Sequence, residues 1–168
     1  EVWLDGMEVT QFTYFQQCGG IDCYPIPIEI TYGLERIAMF LQNKKSIWDL
    51  NWDKNTTYRD IWLDFEKEQC DFNFKESNPD NLRKLFSIYK EEAENLVSKN
   101  LTFPALDFVL KCSHCFNLLD ARGVISVTDR AQYIEKIRIL AKEVANSWAK
   151  KSEKENKSNK INQETQEL

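Results

Sequence analysis

The sequence predicts an α+β protein in which a short antiparallel sheet precedes a bundle of helices. Three observations support this prediction. Asp5-Gly6 is a two-residue turn signal between two runs of β-forming residues, which indicates a β-hairpin over residues 1–17. The segment Glu29–Gln42 begins with strand-forming residues and then changes to the spacing of one helix face. From about Tyr58 to about residue 150, apolar residues recur at helical spacing.

The hairpin would bring acidic side chains together. In a two-residue type I′ hairpin, Trp3 lies opposite Glu8 and Glu1 lies opposite Thr10. Glu1 and Glu8 then share a sheet face on a diagonal of about 7–8 Å, from which two carboxylates can reach one Mg²⁺ ion. The solvent-exposed face of an antiparallel sheet is the alternative. Aromatic residues on the same predicted face favour a cleft wall instead: Trp3, Phe12 and Tyr14.

The segment Glu29–Gln42 contains a glycine where the pattern changes from strand to helix. We expect Gly33 to take a positive φ there, so that the strand turns sharply into the helix. Arg36 leaves the first helical turn near the end of the strand, where a guanidinium can hold a planar or anionic ligand. A buried strand and helix with a surface arginine explains the same spacing.

The chain is expected to form three segments: a sheet-containing part over residues 1–57, a helical domain over 58–150, and a disordered polar tail over 151–168. Residues 18–27 are expected to form a loop, because they contain two adjacent glycines and two prolines.

Caps and periodicity predict the later helices. Asn78-Pro79 is typical of a helix N-terminus, and Ser126 begins a capping box that has aspartate in place of the usual glutamate. The last helix is expected to bury an apolar stripe formed by Ile134, Ile137, Ala141, Val144, Ala145 and Trp148.

Composition narrows the class of protein. The chain has 22 basic and 27 acidic residues, and its net charge of -5 argues against wholesale non-specific binding of nucleic acid. No apolar run approaches the roughly 18 residues of a membrane span, so we expect a cytoplasmic protein with no membrane partner.

The five cysteines, an odd number, indicate a reducing compartment. The chain begins with Glu1 inside a predicted strand, and we expect it to be a fragment of a longer protein.

Four of the cysteines raise the question of a metal site. Cys112 and Cys115 are spaced like half of a zinc site, which Cys18 and Cys23 could complete. The first pair has apolar neighbours inside a predicted helix, however, so buried thiols are the simpler interpretation.

Three segments of the sequence together resemble the alpha subunit of the tetrameric bacterial-type glycyl-tRNA synthetase, a class II aminoacyl-tRNA synthetase. They are EVWLDGMEVTQFTYFQQ at residues 1–17, EITYGLER at 29–36 and FNLLDARGVISVTDR at 116–130. The resemblance extends from residue 1 to about residue 148. It implies that the hairpin and the strand–helix segment form the C-terminal part of the class II catalytic core, followed by an α-helical bundle.

The resemblance implies an ATP site. Gly33 and Arg36 correspond to the third signature motif of class II synthetases, whose arginine packs over ATP. Glu1 and Glu8 correspond to the acidic pair that holds the ATP-bound Mg²⁺. The first core arginine and the first motif have no counterpart in the sequence, so the fragment alone is expected to be inactive.

The resemblance also implies a glycine site. Glu29 and Thr31 match a Glu-x-Ser-x-Gly pattern of other glycyl enzymes, with threonine in place of serine. Glu29 would pair with the ammonium group of glycine, and Thr31 would hydrogen-bond nearby. We expect Trp3 and Thr10 to line the same pocket, where bulky side chains would exclude larger amino acids.

The implied function is that of a glycine–tRNA ligase alpha subunit. Such an enzyme converts glycine and ATP into glycyl-adenylate, and it transfers glycine to tRNA(Gly) as a tetramer of two alpha and two beta subunits. A non-catalytic, synthetase-like adaptor that binds a partner subunit or RNA is the alternative. Five basic residues could form a tRNA-facing strip, or simply a solvated helix face: Arg122, Arg130, Lys136, Arg138 and Lys142.

Overall fold

The computed structural model describes the backbone of residues 1–166 and the side chains of residues 1–153. It contains a small antiparallel sheet and a helical part, which confirms the predicted α+β class. In the part of the chain that is described, no helix is both long and apolar enough to cross a lipid bilayer.

The chain divides into two compact units. The first contains residues 1–16 and 23–76, and the second contains residues 17–22 together with the chain from residue 77 onward. This division comes later than the predicted boundary after residue 57.

The main sheet belongs to the first unit and has three antiparallel strands in the order β1-β2-β5. These are β1 (Val2–Leu4), β2 (Met7–Tyr14) and β5 (Ile28–Tyr32). Asp5 and Gly6 connect the first two strands with φ values of 47° and 80°. Two consecutive positive φ angles are those of a type I′ turn, so the predicted hairpin is confirmed.

A β-bulge interrupts the pairing of β1 with β2. Trp3 lies opposite Glu8 as predicted, but Val2 lies opposite Thr10. Val9 is therefore an extra residue on β2, and the pairing departs here from the regular hairpin that the sequence predicts.

The bulge changes which residues share a sheet face, because a one-residue shift of register moves every later side chain to the other side. Glu8 and Thr10 lie on opposite faces, and the predicted pairing of Glu1 with Thr10 is wrong. One side, here called the polar face, carries Glu1, Trp3, Glu8, Gln11, Thr13, Glu29 and Thr31. The opposite side carries Val2, Thr10, Phe12, Tyr14, Ile28, Ile30 and Tyr32.

A second, smaller hairpin occurs where the sequence predicts a loop. It consists of β3 (Gln17–Cys18) and β4 (Ile21–Asp22), joined by two glycines with φ values of 58° and 77°. A Cβ atom on Gly19 would lie 2.6 Å from the Cβ of Ala145 and 3.0 Å from the carbonyl oxygen of Ala141. Only glycine allows this close approach of the hairpin to the last helix.

The remaining elements of the first unit are helical: α1 (Leu34–Leu41), a 3₁₀ turn (Ile47–Asp49), α2 (Tyr58–Asp71) and a π-helix (Phe72–Glu76). Thr57 and Asp60 form a reciprocal capping box at the start of α2.

Three longer helices belong to the second unit: α3 (Pro79–Ser98), α4 (Thr102–Ala121) and α5 (Val127–Gln166). Asn78 accepts hydrogen bonds from two backbone N–H groups of α3, and Ser126 and Asp129 form the predicted capping box of α5. The backbone of residues 151–166 continues α5, whereas the sequence predicts no regular structure there. Lys, Glu and Gln in this segment are good helix formers. Residues 167–168 lie outside the described residues.

The core of the second unit lies between these three helices. Its most deeply buried side chains include Leu119 of α4 and Leu140 of α5. Within the predicted stripe of α5, Val144 is buried, but Trp148 remains 54% exposed. The buried face of α5 therefore passes through Leu140, which the predicted stripe omitted.

Truncation of neighbouring residues should test this orientation of α5. We expect Leu140→Ala to lower the free energy of unfolding by about 2–5 kcal/mol, because it leaves a cavity at a fully buried position. Ile139→Ala is the matched control, since Ile139 is 51% exposed. Urea unfolding followed by circular dichroism measures both changes. Equal losses in the two variants would contradict the orientation.

Substitution of glycines should test how the small hairpin packs. Gly19→Ala and Gly123→Ala both introduce a side chain at a positive φ, but a Cβ on Gly123 has no atom within 4 Å. We expect Gly123→Ala to cost about 1–2 kcal/mol from backbone conformation alone. Gly19→Ala should cost about 1–3 kcal/mol more, because its Cβ overlaps Ala145. The same urea titrations measure the difference, and no extra loss for Gly19→Ala would show that the contact does not form.

Candidate functional site

The junction between β5 and α1 is held by the bulged part of β2. The backbone N–H of Gly33 donates to the carbonyl oxygen of Val9 over 2.9 Å. The guanidinium of Arg36 donates through Nη1 to the carbonyl oxygen of Glu8, also over 2.9 Å. Two consecutive carbonyls at the bulge thus accept hydrogen bonds from two parts of the junction: the end of the strand and the first turn of the helix.

Gly33 does not make its turn in the predicted way. Its φ is -79° and its ψ is 84°, so the expected positive φ is wrong. The conformation is close to an inverse γ-turn, which other residues also adopt. A Cβ on Gly33 would lie 3.4 Å from Cδ of Arg36 and 3.5 Å from the carbonyl oxygen of Val9, which is tight but ordinary contact.

Helix α1, which carries Arg36, is also held by hydrogen bonds near both ends. At the C-terminal end, the side-chain amide of Gln42 donates to the carbonyl of Asn51 over 3.1 Å and accepts from its N–H over 2.8 Å. In the first turn, Glu35 accepts a hydrogen bond of 3.2 Å from the hydroxyl of Tyr58. Burial and the negative charge of Glu35 raise the pKa of Tyr58. The ring of Tyr58 packs against three tryptophans: Trp48, Trp52 and Trp62.

The polar face contains two hydrogen-bonded pairs that involve predicted site residues. The indole N–H of Trp3 donates to a carboxylate oxygen of Glu1 over 3.0 Å. The hydroxyl of Thr31 donates to the carboxylate of Glu29. The four side chains are exposed, so a ligand can reach them from solvent. Each pair limits the orientations that its carboxylate can adopt.

Two residues of the polar face were missed by the sequence analysis. Gln11 lies directly opposite Thr31, and Thr13 lies directly opposite Glu29. A regular hairpin would place both on the side opposite to Glu1 and Glu8, because only the bulge reverses the alternation of β2. No sequence signal marks the bulge, so only the observed register reveals these two residues.

A cavity of about 160 Å³ lies where the bulge meets the junction. Five of the predicted site residues line it: Glu8, Thr10, Thr31, Gly33 and Arg36. The rest of the lining consists of Val9, Gln11 and Tyr32. The cavity lining does not include Glu1, Trp3 or Glu29, which lie elsewhere on the polar face.

The predicted Mg²⁺ ligands are consistent with an ion that arrives with a nucleotide. Among the described residues there is no group of three or more His, Cys, Asp or Glu side chains placed to hold a metal. Mg²⁺ bound to a nucleotide takes most of its ligands from phosphate and water, and it needs only one or two carboxylates from the protein. Glu1 and Glu8, on one sheet face, fit that requirement.

The cysteines of α4 are packed into the helical core. Cys112 and Cys115 are both buried, and the thiol of Cys112 donates to the carbonyl oxygen of Phe86 over 3.7 Å. Burial raises the pKa of Cys112 to about 11 and also raises the pKa of Cys115. Cys18 lies in the small hairpin and is exposed.

The predicted basic strip is only partly continuous. Arg130, Arg138 and Lys142 line an open groove of about 520 Å³ along α5. Arg130 also donates to both carboxylate oxygens of Asp120 over 3.2 Å. Lys136 instead lies over the ring of Tyr133 and does not line the groove. Contact of this strip with tRNA stays a prediction.

Residues 1–153 match the family model described as "Glycyl-tRNA synthetase alpha subunit". The matched range contains the polar face, the strand–helix junction and the three-helix core.

The cysteines should differ sharply in reactivity toward an alkylating agent. At pH 8 a thiol with a pKa near 11 is almost entirely protonated, and the thiolate is the reactive form. We expect iodoacetamide to modify Cys18 in the folded protein and to modify Cys112 only after unfolding. Mass spectrometry of tryptic peptides measures both rates. Comparable labelling of Cys112 and Cys18 under native conditions would show that α4 does not bury its thiols.

Proposed function

The chain belongs to the glycyl-tRNA synthetase alpha subunit family, and on that premise we propose that its polar face and the adjoining cavity bind glycine and ATP during the synthesis of glycyl-adenylate. The observation that supports this proposal most strongly is the cavity at the bulge. It is lined by a residue with a guanidinium, one with a carboxylate and one with a hydroxyl group: Arg36, Glu8 and Thr31. This combination suits an amino acid and a nucleotide better than an apolar ligand.

The proposed reaction has two steps. A carboxylate oxygen of glycine attacks the α-phosphorus of ATP, a new C–O–P linkage forms, and pyrophosphate leaves with the electrons of the broken P–O bond. A terminal hydroxyl of tRNA(Gly) then attacks the glycyl carbonyl, and AMP leaves. The substrates supply both nucleophiles, so the protein contributes positioning and electrostatic stabilisation.

Arg36 is the proposed ATP-binding cation. Its guanidinium has five N–H donors, and the bond to the carbonyl of Glu8 uses only one nitrogen. That bond fixes the direction of the side chain, and the remaining donors are available to phosphate oxygens or to the face of the adenine. Gly33 supports this role because its N–H ties the start of α1 to the same strand.

Glu29 and Thr31 are the proposed partners of the glycine ammonium group. The bond from Thr31 to Glu29 leaves the second carboxylate oxygen of Glu29 free to accept from a ligand. The threonine oxygen can accept as well, since its own proton is donated to Glu29. Trp3 is the proposed bulky wall of this pocket. Thr10 is not included, because it lies on the opposite face of the sheet.

Glu1 and Glu8 are the proposed protein ligands of the Mg²⁺ that accompanies ATP. Bound there, the ion would neutralise negative charge on the phosphates. The polar face also carries the carboxylate of Glu29, so a cation between these acidic groups would reduce their mutual repulsion.

We propose that the alpha subunit acts with a beta subunit, as two alpha and two beta chains in the cytoplasm, and that tRNA(Gly) is the final acceptor. The catalytic proposal is tested in that complex.

Exchange of labelled pyrophosphate into ATP should report the first step. We expect the full-length alpha subunit with its beta subunit to catalyse exchange that depends on glycine and on Mg²⁺. Arg36→Ala should lower the exchange rate by at least about a hundredfold, because a charge-assisted contact to the transferring phosphate contributes about 3 kcal/mol or more.

Arg59→Ala is the matched control for this experiment. Arg59 lies in the same unit and pairs with Asp49 over 3.7 Å, but it does not line the cavity. Its substitution should leave exchange within about twofold of wild type, as expected for an exposed ion pair. Subunit association, measured by analytical ultracentrifugation, should be normal in both variants. Association without any glycine-dependent exchange in the wild type would instead favour the adaptor function.

A further inference from the structure

Gln11 occupies the centre of the polar face. It lies on the middle strand of the sheet, directly opposite Thr31 on one side. Extending the observed pairing of Val2 with Thr10 by one residue brings Glu1 next to Gln11 on the other side. Gln11 therefore lies between a residue proposed to bind glycine and a residue proposed to act at ATP.

The amide of Gln11 is available to a ligand, whereas two side chains next to it already hydrogen-bond within the protein. The carboxylate of Glu1 accepts from Trp3, and the hydroxyl of Thr31 donates to Glu29. Within the described part of the chain, the side chain of Gln11 makes no hydrogen bond, and it is exposed where it lines the cavity. A side-chain amide offers two donors and one acceptor.

The position of Gln11 determines which group of a bound glycine its side chain can contact. If the ammonium group lies at Glu29 and Thr31, the carboxylate must point toward Arg36 and Glu8, where the phosphates are proposed to bind. A glycine molecule bound in this orientation would lie across Gln11. Because nearby carboxylates repel an anion, a donor placed at this point would offset that repulsion and hold the attacking oxygen.

We propose that Gln11 is a glycine-binding residue whose amide N–H₂ group donates to the substrate carboxylate. This role rests on the proposed adenylation activity and adds a residue to it. The neutral amide positions the oxygen that attacks ATP, and it does so without the strong ion pair that a lysine or arginine would form with the nucleophile. It contributes to orientation, and no proton is transferred to or from it.

Three variants test this proposal in the full-length alpha subunit with its beta subunit, by glycine-dependent pyrophosphate exchange. Gln11→Ala should lower kcat/KM for glycine by about ten- to a hundredfold, as expected for loss of a hydrogen bond to a charged group. The KM for ATP should stay within about twofold. Gln11→Glu should be more severely impaired than Gln11→Ala, because an anion replaces the donor opposite the glycine carboxylate.

Gln16→Ala is the matched control, since Gln16 follows the same strand, is exposed and does not line the cavity. It should retain wild-type kcat/KM. An active wild type with normal kinetics in Gln11→Ala would overturn the role of Gln11 alone, whereas a wild type without exchange would overturn the proposed function itself. Greater activity in Gln11→Glu than in Gln11→Ala would also overturn the proposal, because it would mean that the amide accepts from the ammonium group. Thermal midpoints verify that both Gln11 variants are folded.

Discussion

The extra residue at Val9 is the constraint on which the rest of the candidate site depends. It moves β2 by one position against β1, so that Glu8 stays beside Trp3 while Gln11 joins the polar face. Two consecutive carbonyl oxygens at the bulge also hold the junction of β5 and α1. They accept hydrogen bonds from the N–H of Gly33 and from the guanidinium of Arg36. One irregularity thus sets both the composition of the face and the position of the arginine. β-bulges commonly re-aim side chains in this way next to active sites.

The two units are held together by different kinds of interaction. In the second unit, α3, α4 and α5 surround a continuous apolar core, in which Leu119 is fully buried. In the first unit, neither α1 nor α2 contains a buried residue, and apolar side chains on the back of the sheet, such as Ile30, remain about half exposed. The site there is organised mainly by specific hydrogen bonds, those of Gln42 and Tyr58 among them. Hydrogen bonds fix direction more narrowly than apolar contact does, which suits a site that acts by positioning.

Much of the architecture could be predicted from local patterns. The Asp5-Gly6 turn, the strand-to-helix change after Glu29 and the cap at Ser126 each rest on interactions between residues close in sequence. The bulge could not be predicted, because the bond that supports it joins Val9 to Gly33, far along the chain. The hairpin around the adjacent glycines has strands of only two residues, too short to give an alternating pattern. The family could be predicted from three segments of the sequence. The place of Gln11 in the site could be seen only from the observed strand register.

The register of β1 and β2 can be measured directly with pairs of cysteines, in a background where Cys18, Cys23 and Cys70 are replaced by serine. Directly opposed strand residues have Cα atoms about 4.5–5.5 Å apart, within the range that a disulfide spans. With the bulge, Val2→Cys combined with Thr10→Cys should form a disulfide on mild oxidation, whereas Glu1→Cys combined with Thr10→Cys should not. Mass spectrometry of the oxidised protein distinguishes the two pairs. Efficient cross-linking of the second pair and not the first would mean that the hairpin is regular, and it would place Gln11 on the side of the sheet opposite to Glu1 and Glu8.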